Sequence, residues 1–172
     1  MFTEERPTVE GKHYRIESAL NFPRPVTPGG PPILIGGSGE RRTLRLVARY
    51  ADACNLFGDV AAIRHKLDVL DRHCADAGRD PSAITRTRLG TLVIAPTMEE
   101  ARRKSDLVLP RFGGDRALME TIVTVGDPDT VREKVAALLG AGLDGLIFNL
   151  PDAHDLDTVA LAGETLAGRA GA

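Results

Sequence analysis

The pattern of apolar and polar positions predicts short strands that alternate with amphipathic helices from residue 32 onward. Four short, largely apolar runs are the candidate strands, at residues 33–35, 53–57, 89–94 and 146–148. Segments between them carry apolar residues three and four positions apart, which is the spacing of one helix face. Strands of this kind, separated by helices, are typical of a parallel sheet covered by helices. The sequence therefore predicts an α/β fold.

Capping residues mark where the predicted helices begin and end. The first helix covers residues 40–50, and the second covers residues 60–77 and closes at Gly78. We expect the charged residues of the second helix, including His65, Lys66 and His73, to face solvent. Thr97 and Glu100 form a capping box that opens a third helix, and Asp127 followed by Pro128 opens a fourth. A last helix is predicted over residues 156–168.

The first thirty residues differ from the rest of the chain. Residues 23–32 alone hold five prolines and two glycines, a composition typical of a linker or of an arm on a surface. At 172 residues the chain is long enough for one core and too short for two comfortable domains. We therefore expect an irregular arm at residues 1–30 and one folded body at residues 31–172.

The composition of the chain argues against several classes of function. The net charge is −2 and only 4% of residues are aromatic, so nothing favours nucleic-acid binding. No apolar run approaches the length of a membrane span, and the N-terminus lacks the apolar core of a signal peptide. Two cysteines, Cys54 and Cys74, indicate reduced, buried thiols rather than a disulfide framework. These features predict a cytoplasmic protein that does not act on a membrane.

The turn between the first strand and the first helix is the strongest functional candidate. It consists of Gly36, Gly37, Ser38 and Gly39, here called the glycine turn. Glycines let a backbone approach a ligand closely, and the helix start behind them offers N–H groups to an anion. The pattern predicts a phosphate-binding corner, although a plain tight turn has the same composition.

Known nucleotide motifs fit this turn only in part. The Walker A motif is absent. Gly37 and Gly39 fit the first two positions of the dinucleotide motif GxGxxG, but Arg42 stands at the third. Asp59 follows at the distance of that motif's ribose-binding acid, in a loop where an acidic residue is common. A doubly wound, nicotinamide-binding domain therefore stays open as an alternative.

A family resemblance is carried by three segments, PPILIGGSGERRTLRLVARYADACNLFG, RTRLGTLVIAPTMEEAR and GDPDTVREKVAALLGAGLDGLIFNLP. They resemble the luciferase-like monooxygenase superfamily, and most of all its branch of oxidoreductases that depend on the deazaflavin coenzyme F420. The resemblance implies a (β/α)8 barrel that binds FMN or F420 at its C-terminal face. The similar segments belong to the second half of that barrel. The chain would then be a partial TIM barrel, strands five to eight with their helices.

The resemblance also implies which residues bind the cofactor. The glycine turn would hold its phosphate through backbone N–H groups, and the end of the next strand would line the phosphate and ribityl region with Leu56, Phe57 and Gly58. Arg41 and Arg42 would add positive charge or face solvent. We expect F420 as the cofactor, with FMN as the alternative.

The resemblance stops short of a complete active site. The first four strands of the family's barrel support the flavin ring and supply much of its acid–base chemistry, and this chain has no counterpart of them. We therefore assign no catalytic residue and no metal site. The predicted function is a flavin- or deazaflavin-dependent oxidoreductase in which this chain supplies the cofactor-phosphate half.

Two partners and a second function are also consistent with the sequence. An open half-barrel exposes strand edges that invite pairing, so we expect self-association or a complementary half-barrel. The alternative function is a non-catalytic half-barrel module that binds a phosphorylated ligand or a partner chain. The sequence does not indicate the substrate.

Overall fold

A computed structural model describes residues 2–112, 119 and 121–167. The chain divides into two compact units, residues 1–33 and residues 34–172. In the first unit, two very short strands, β1 (Val9–Glu10) and β2 (Arg15–Ile16), pair in antiparallel fashion, and the other described residues are irregular.

The second unit alternates strands and helices along the chain. One-turn 3-10 helices lie at Pro81–Ala83 and Leu109–Phe112. The main elements, in chain order, are β3 (Leu34–Gly36), α1 (Thr43–Tyr50), β4 (Ala53–Leu56), α2 (Val60–Ala77), β5 (Thr85–Ile94), α3 (Met98–Val108), β6 (Val123–Gly126), α4 (Pro128–Leu139), β7 (Gly145–Asn149) and α5 (Leu156–Ala167).

Four strands form a parallel sheet in the order in which they occur in the chain. β3 pairs with β4, β4 with β5, and β5 with β7, each time in parallel. A doubly wound sheet reverses its strand order part-way across, whereas a (β/α)8 barrel keeps the chain order. The observed order therefore confirms the predicted partial barrel and argues against a nicotinamide-binding doubly wound sheet.

The sheet also contains a short strand, β6, that the sequence pattern did not predict. Thr91 of β5 lies opposite both Val123 of β6 and Asn149 of β7, so β6 and β7 occupy opposite edges of β5. The first half of β5 lies opposite both β4 and β7. Consequently β4 and β6 share one edge of β5, with β4 along its first half and β6 along its second.

Helices cover one face of the sheet and form two apolar clusters with it. The first cluster joins α1 and α2 to β4, and the second joins α4 and α5 to β5. Their fully buried members include Leu44, Val47, Leu56, Ile63 and Leu70 in the first cluster and Leu92, Ile94 and Val131 in the second.

The opposite face of the sheet is open along β3 and β7. Successive side chains of a strand point to opposite faces. Ile35 and Leu146 pack against the helix side, so their neighbours Leu34 and Ile147 point the other way. Leu34 is 52% exposed and Ile147 43% exposed, a high value for large aliphatic side chains on a sheet. This open face is the one that the other half of a barrel would cover.

Candidate functional site

The structure brings the two predicted binding segments together. The glycine turn begins at the last residue of β3, and Leu56 ends the adjacent parallel strand β4, with Phe57 and Gly58 directly after it. The main-chain N–H of Gly37 donates to the carbonyl of Asn55 at 3.0 Å, and the N–H of Phe57 donates to Ser38 Oγ, also at 3.0 Å. These two hydrogen bonds join the glycine turn to the end of β4.

Two glycines at this junction have backbone conformations that disfavour a side chain, and a third borders open space. Gly37 and Gly58 have φ angles of +120° and +132°, which L side chains rarely adopt. A Cβ on Gly58 would lie 2.7 Å from the Cβ of Ala62. At Gly36, in contrast, a Cβ would meet no atom within 4 Å. The space in front of Gly36 is therefore open to a ligand.

Helix α1, which follows the glycine turn, has no side-chain cap at its N-terminus. Arg42 precedes it with helical φ and ψ of −115° and −55° and makes no capping hydrogen bond. Asp59, Thr97 and Asp127, by contrast, each accept a hydrogen bond from a first-turn N–H of their own helices. An uncapped helix start carries partial positive charge. A phosphate group suits this end of α1.

The side chains at the end of β4 differ in how far a ligand could reach them. Leu56 is fully buried in the first cluster, so only its main chain can face the junction. The Phe57 side chain is 36% exposed and can contact a ligand. The junction therefore presents mostly backbone and one aromatic ring.

A polar cluster on α2 holds the residue that follows the glycine turn. The Glu40 carboxylate accepts a hydrogen bond from Lys66 Nζ and lies 3.2 Å from His65 Nε2. His73 Nε2 contacts the main-chain oxygen of Glu40 at 2.8 Å, where it acts as the donor. The Lys66 hydrogen bond is the main reason why the pKa of Glu40 is below its usual value. We call Glu40, His65, Lys66 and His73 the Glu40 clamp.

The Glu40 clamp corrects the expectation of a solvent-facing side chain for Lys66 and His73, whereas His65 is 58% exposed, as expected. The Lys66 side chain is only 19% exposed, and His73 is half-buried. Packing of α1 against α2 turns them toward a residue 26 to 33 positions earlier in the chain. No local sequence signal marks such a contact, because its partner is distant in the sequence.

Arg88 supports the end of β4 from within the sheet. It is 2% exposed, and its Nε donates to the carbonyl of Gly58 at 2.7 Å. Its Nη2 donates to the carbonyl of Thr121 at 2.8 Å, just before β6, whereas Nη1 is buried without a hydrogen-bond partner. Arg88 thus fills the gap that separates β4 from β6 along their shared edge of β5.

The loop after β7 lies at another strand end and carries polar residues. Asn149 and His154 are both exposed there. Lys104 Nζ lies 2.6 Å from Asp152 Oδ2, close enough for an ion pair although poorly aligned for a hydrogen bond. The same Nζ donates to Thr158 Oγ1 at 2.8 Å and to the Ile94 carbonyl at 3.2 Å. These contacts tie the loop to α3 and α5.

No three His, Cys, Asp or Glu side chains in the part of the chain that the structure describes are grouped so that they could hold a metal ion. None of the described helices combines the length and the apolar character needed to cross a membrane.

The sequence of the chain is similar to that of one known family. Residues 1–117 match the family model of the luciferase-like monooxygenases. The F420-dependent glucose-6-phosphate dehydrogenase of Nakamurella multipartita is 29% identical to the chain, over 98% of the chain and 56% of that protein.

Solved structures share the fold. Monooxygenase RslO1 from Streptomyces bottropensis superimposes with a TM-score of 0.74 at 21% identity, over 97% of this chain and 56% of that one. The coenzyme F420-dependent tetrahydromethanopterin reductase of Methanopyrus kandleri gives 0.73 at 18% identity, over 93% and 57%. The chain thus spans little more than half the length of these relatives. The family match, the chain-ordered parallel sheet and the shared fold agree, and the chain belongs to the luciferase-like monooxygenase family.

Proposed function

We propose that the chain is the cofactor-phosphate half of an oxidoreductase that uses F420, with FMN as the alternative cofactor. One observation carries the proposal: the Ser38–Phe57 hydrogen bond joins the glycine turn and the end of β4 beside an uncapped helix start. The F420 dependence of the Nakamurella relative supports the choice of cofactor. FMN stays the alternative because a related fold, that of 3,6-diketocamphane monooxygenase, was solved in complex with it.

In this proposal the backbone does most of the binding. N–H groups of Gly36, Gly37, Ser38 and Gly39 hold the phosphate, helped by the positive end of α1. Leu56, Phe57 and Gly58 line the adjoining region, Leu56 through its main chain and Phe57 through its ring. The bound deazaflavin or flavin ring supplies the hydride-transfer chemistry. No residue of this chain is assigned to acid–base catalysis.

We further propose that the open face of the sheet is covered by a complementary half-barrel or by a second copy of this chain. The exposed Leu34 and Ile147 support this, and so does the length of the relatives. Buried, free Cys54 and Cys74 support a reducing, cytoplasmic location. Sedimentation analysis tests the association, and a concentration-independent monomer that unfolds cooperatively would contradict it.

The binding proposal is tested by titrating the purified chain with F420 and, separately, with FMN. Gly36→Ala is the informative variant, because it adds a methyl group in front of the junction without steric conflict in the fold. Gly163→Ala is the matched control, since a Cβ there also meets no atom within 4 Å but lies on α5.

The expected result is saturable F420 binding that weakens in Gly36→Ala and persists in Gly163→Ala. Unfolding curves should show that Gly36→Ala remains as stable as the parent chain. Equal affinity in both variants would place the cofactor elsewhere. Binding of inorganic phosphate at the same site, without binding of either cofactor, would instead support the non-catalytic module that binds phosphorylated ligands.

A further inference from the structure

Helix α1 and the turn before it carry four exposed arginines. Arg41, Arg42, Arg45 and Arg49 are all exposed. None of them has an ion-pair partner among the residues that the structure describes. No acidic residue lies between Arg41 and Ala51. Because the whole chain carries a net charge of −2, this helix is a local positive patch on a mildly acidic protein.

The arginines form one continuous surface. At 3.6 residues per turn, Arg42, Arg45 and Arg49 fall within about 60° of arc and extend over about 10 Å. The buried residues Leu44 and Val47 lie on the other side of the helix. We call Arg41, Arg42, Arg45 and Arg49 the arginine face. It begins two residues after the glycine turn and leads away from it.

Two acidic residues flank the arginine face in the sequence, Glu40 before it and the exposed Asp52 after it. The acidic residue just before it, Glu40, is held in the Glu40 clamp by Lys66 and His65. At the other end, Arg79 Nη1 donates to the carbonyls of Val47 and Ala48 at 3.3 Å and adds a further cation. The surface is therefore complementary to an extended, multiply charged anion.

Resting on the proposed function, we infer that the arginine face binds the anionic tail of F420. Beyond its phosphate, this cofactor carries a chain of γ-linked glutamates, whereas FMN ends at the phosphate. Arg41 and Arg42 follow the glycine turn by two and three residues, within reach of a tail that continues from a phosphate held there. Arg45 and Arg49 then pair with the tail carboxylates and make the site selective for F420 over FMN.

The test compares two ligands that differ only in the tail. Affinities are measured for F420 and for the same deazaflavin phosphate without glutamates, at low and at high salt. The variant is Arg45→Gln with Arg49→Gln, which leaves the glycine turn untouched. The control, Arg64→Gln with Arg102→Gln, removes the same charge from exposed positions on α2 and α3.

The parent chain and the control should bind F420 about fivefold more tightly than the tail-less form at low salt, as expected for a few exposed ion pairs. The Arg45 and Arg49 double variant should bind both ligands equally, and high salt should abolish the preference everywhere.

Three results would overturn the inference. Equal affinity of the parent chain for both ligands would show that the arginine face does not contact the tail, and the proposed function would still stand. A preference that survives in the double variant would place the tail elsewhere. Tighter binding of a single-stranded oligonucleotide than of F420 would assign the arginine face to nucleic acid. If neither deazaflavin binds, this inference and the proposed function fail together.

Discussion

The glycine turn and the loop after β7 occupy equivalent positions in the fold, yet their chemistry is opposite. Each follows the C-terminal end of a parallel strand and leads into a helix. The glycine turn leads to an uncapped helix with an arginine face. After β7, Asp155 accepts a hydrogen bond from Thr158 Oγ1 at the start of α5, and Asp152 pairs with Lys104. The first end has arginines without an ion-pair partner among the described residues, whereas the second pairs its buried carboxylate with a lysine.

This difference shows that position alone does not make a binding site. All strand ends of a half-barrel lie on the same rim. What separates them is the segment before the helix: a glycine turn followed by Arg42 with no acidic cap in one case, and aspartate in the other. Substitutions that weaken either end should therefore have distinct consequences.

Gly58→Ala should cause the largest loss, because it distorts the junction between the glycine turn and β4. Its φ of +132° is unfavourable for alanine, and the new Cβ would meet Ala62 at 2.7 Å. We expect the free energy of unfolding to fall by about 2–4 kcal/mol. Urea denaturation measures this. Gly78→Ala, at a φ of +64° with open space around it, is the control and should lose about 1 kcal/mol. Equal losses in both variants would show that steric conflict at Gly58 is unimportant.

Lys104→Met tests the ion pair that fixes the loop after β7. The change leaves the Asp152 carboxylate, on a residue only 8% exposed, without its cation. The free energy of unfolding should fall by about 2 kcal/mol, because a buried charge that has lost its partner is costly. Arg103→Met, its neighbour with an exposed ion pair to Glu99, should lose less than about 0.5 kcal/mol. Thermal unfolding of the two variants side by side would show whether burial matters as argued.

Asp155→Asn should have the smallest effect, and that effect should depend on pH. The hydrogen bond from the Thr158 hydroxyl is the main reason why the pKa of Asp155 is lowered. A lowered carboxyl pKa stabilises the fold above the unfolded-state value, and that contribution disappears as the pH falls through the folded-state value. The parent chain should therefore be the more stable at pH 7, with the difference shrinking below about pH 4. Asp106→Asn, exposed on α3, should show no such convergence, and a difference that is constant with pH would refute the charge argument.

The sequence predicted most of the local structure, because local signals set it. Helix α2 has the predicted bounds, since Asp59 caps its start and Gly78 ends it in a left-handed conformation. The chain order of the parallel strands was confirmed as well. Helix α1, however, begins at Thr43 rather than at residue 40, because the glycine turn continues as a turn through Arg42.

The structural features that the sequence did not predict depend on contacts between segments that are distant in the chain. Strand β6 is only four residues long, and it exists because the second half of β5 offers it an edge. β5 begins at Thr85, four residues earlier than predicted, because its polar start is paired with strands on both sides. The buried Arg88 and the Glu40 clamp escaped prediction for the same reason. Which residues bind a ligand stays a prediction.

The Glu40 clamp has a consequence for the thermodynamics of binding. A glycine-rich loop has many accessible conformations, and a ligand that must order it loses affinity through the entropy that the loop gives up. Here the residue after the glycine turn is already fixed to α2 through its carboxylate and its main-chain oxygen. The loop is thus preorganised when the protein folds. Heat capacity and entropy changes on ligand binding should accordingly resemble those of a rigid receptor rather than those of a disordered segment that folds around its target.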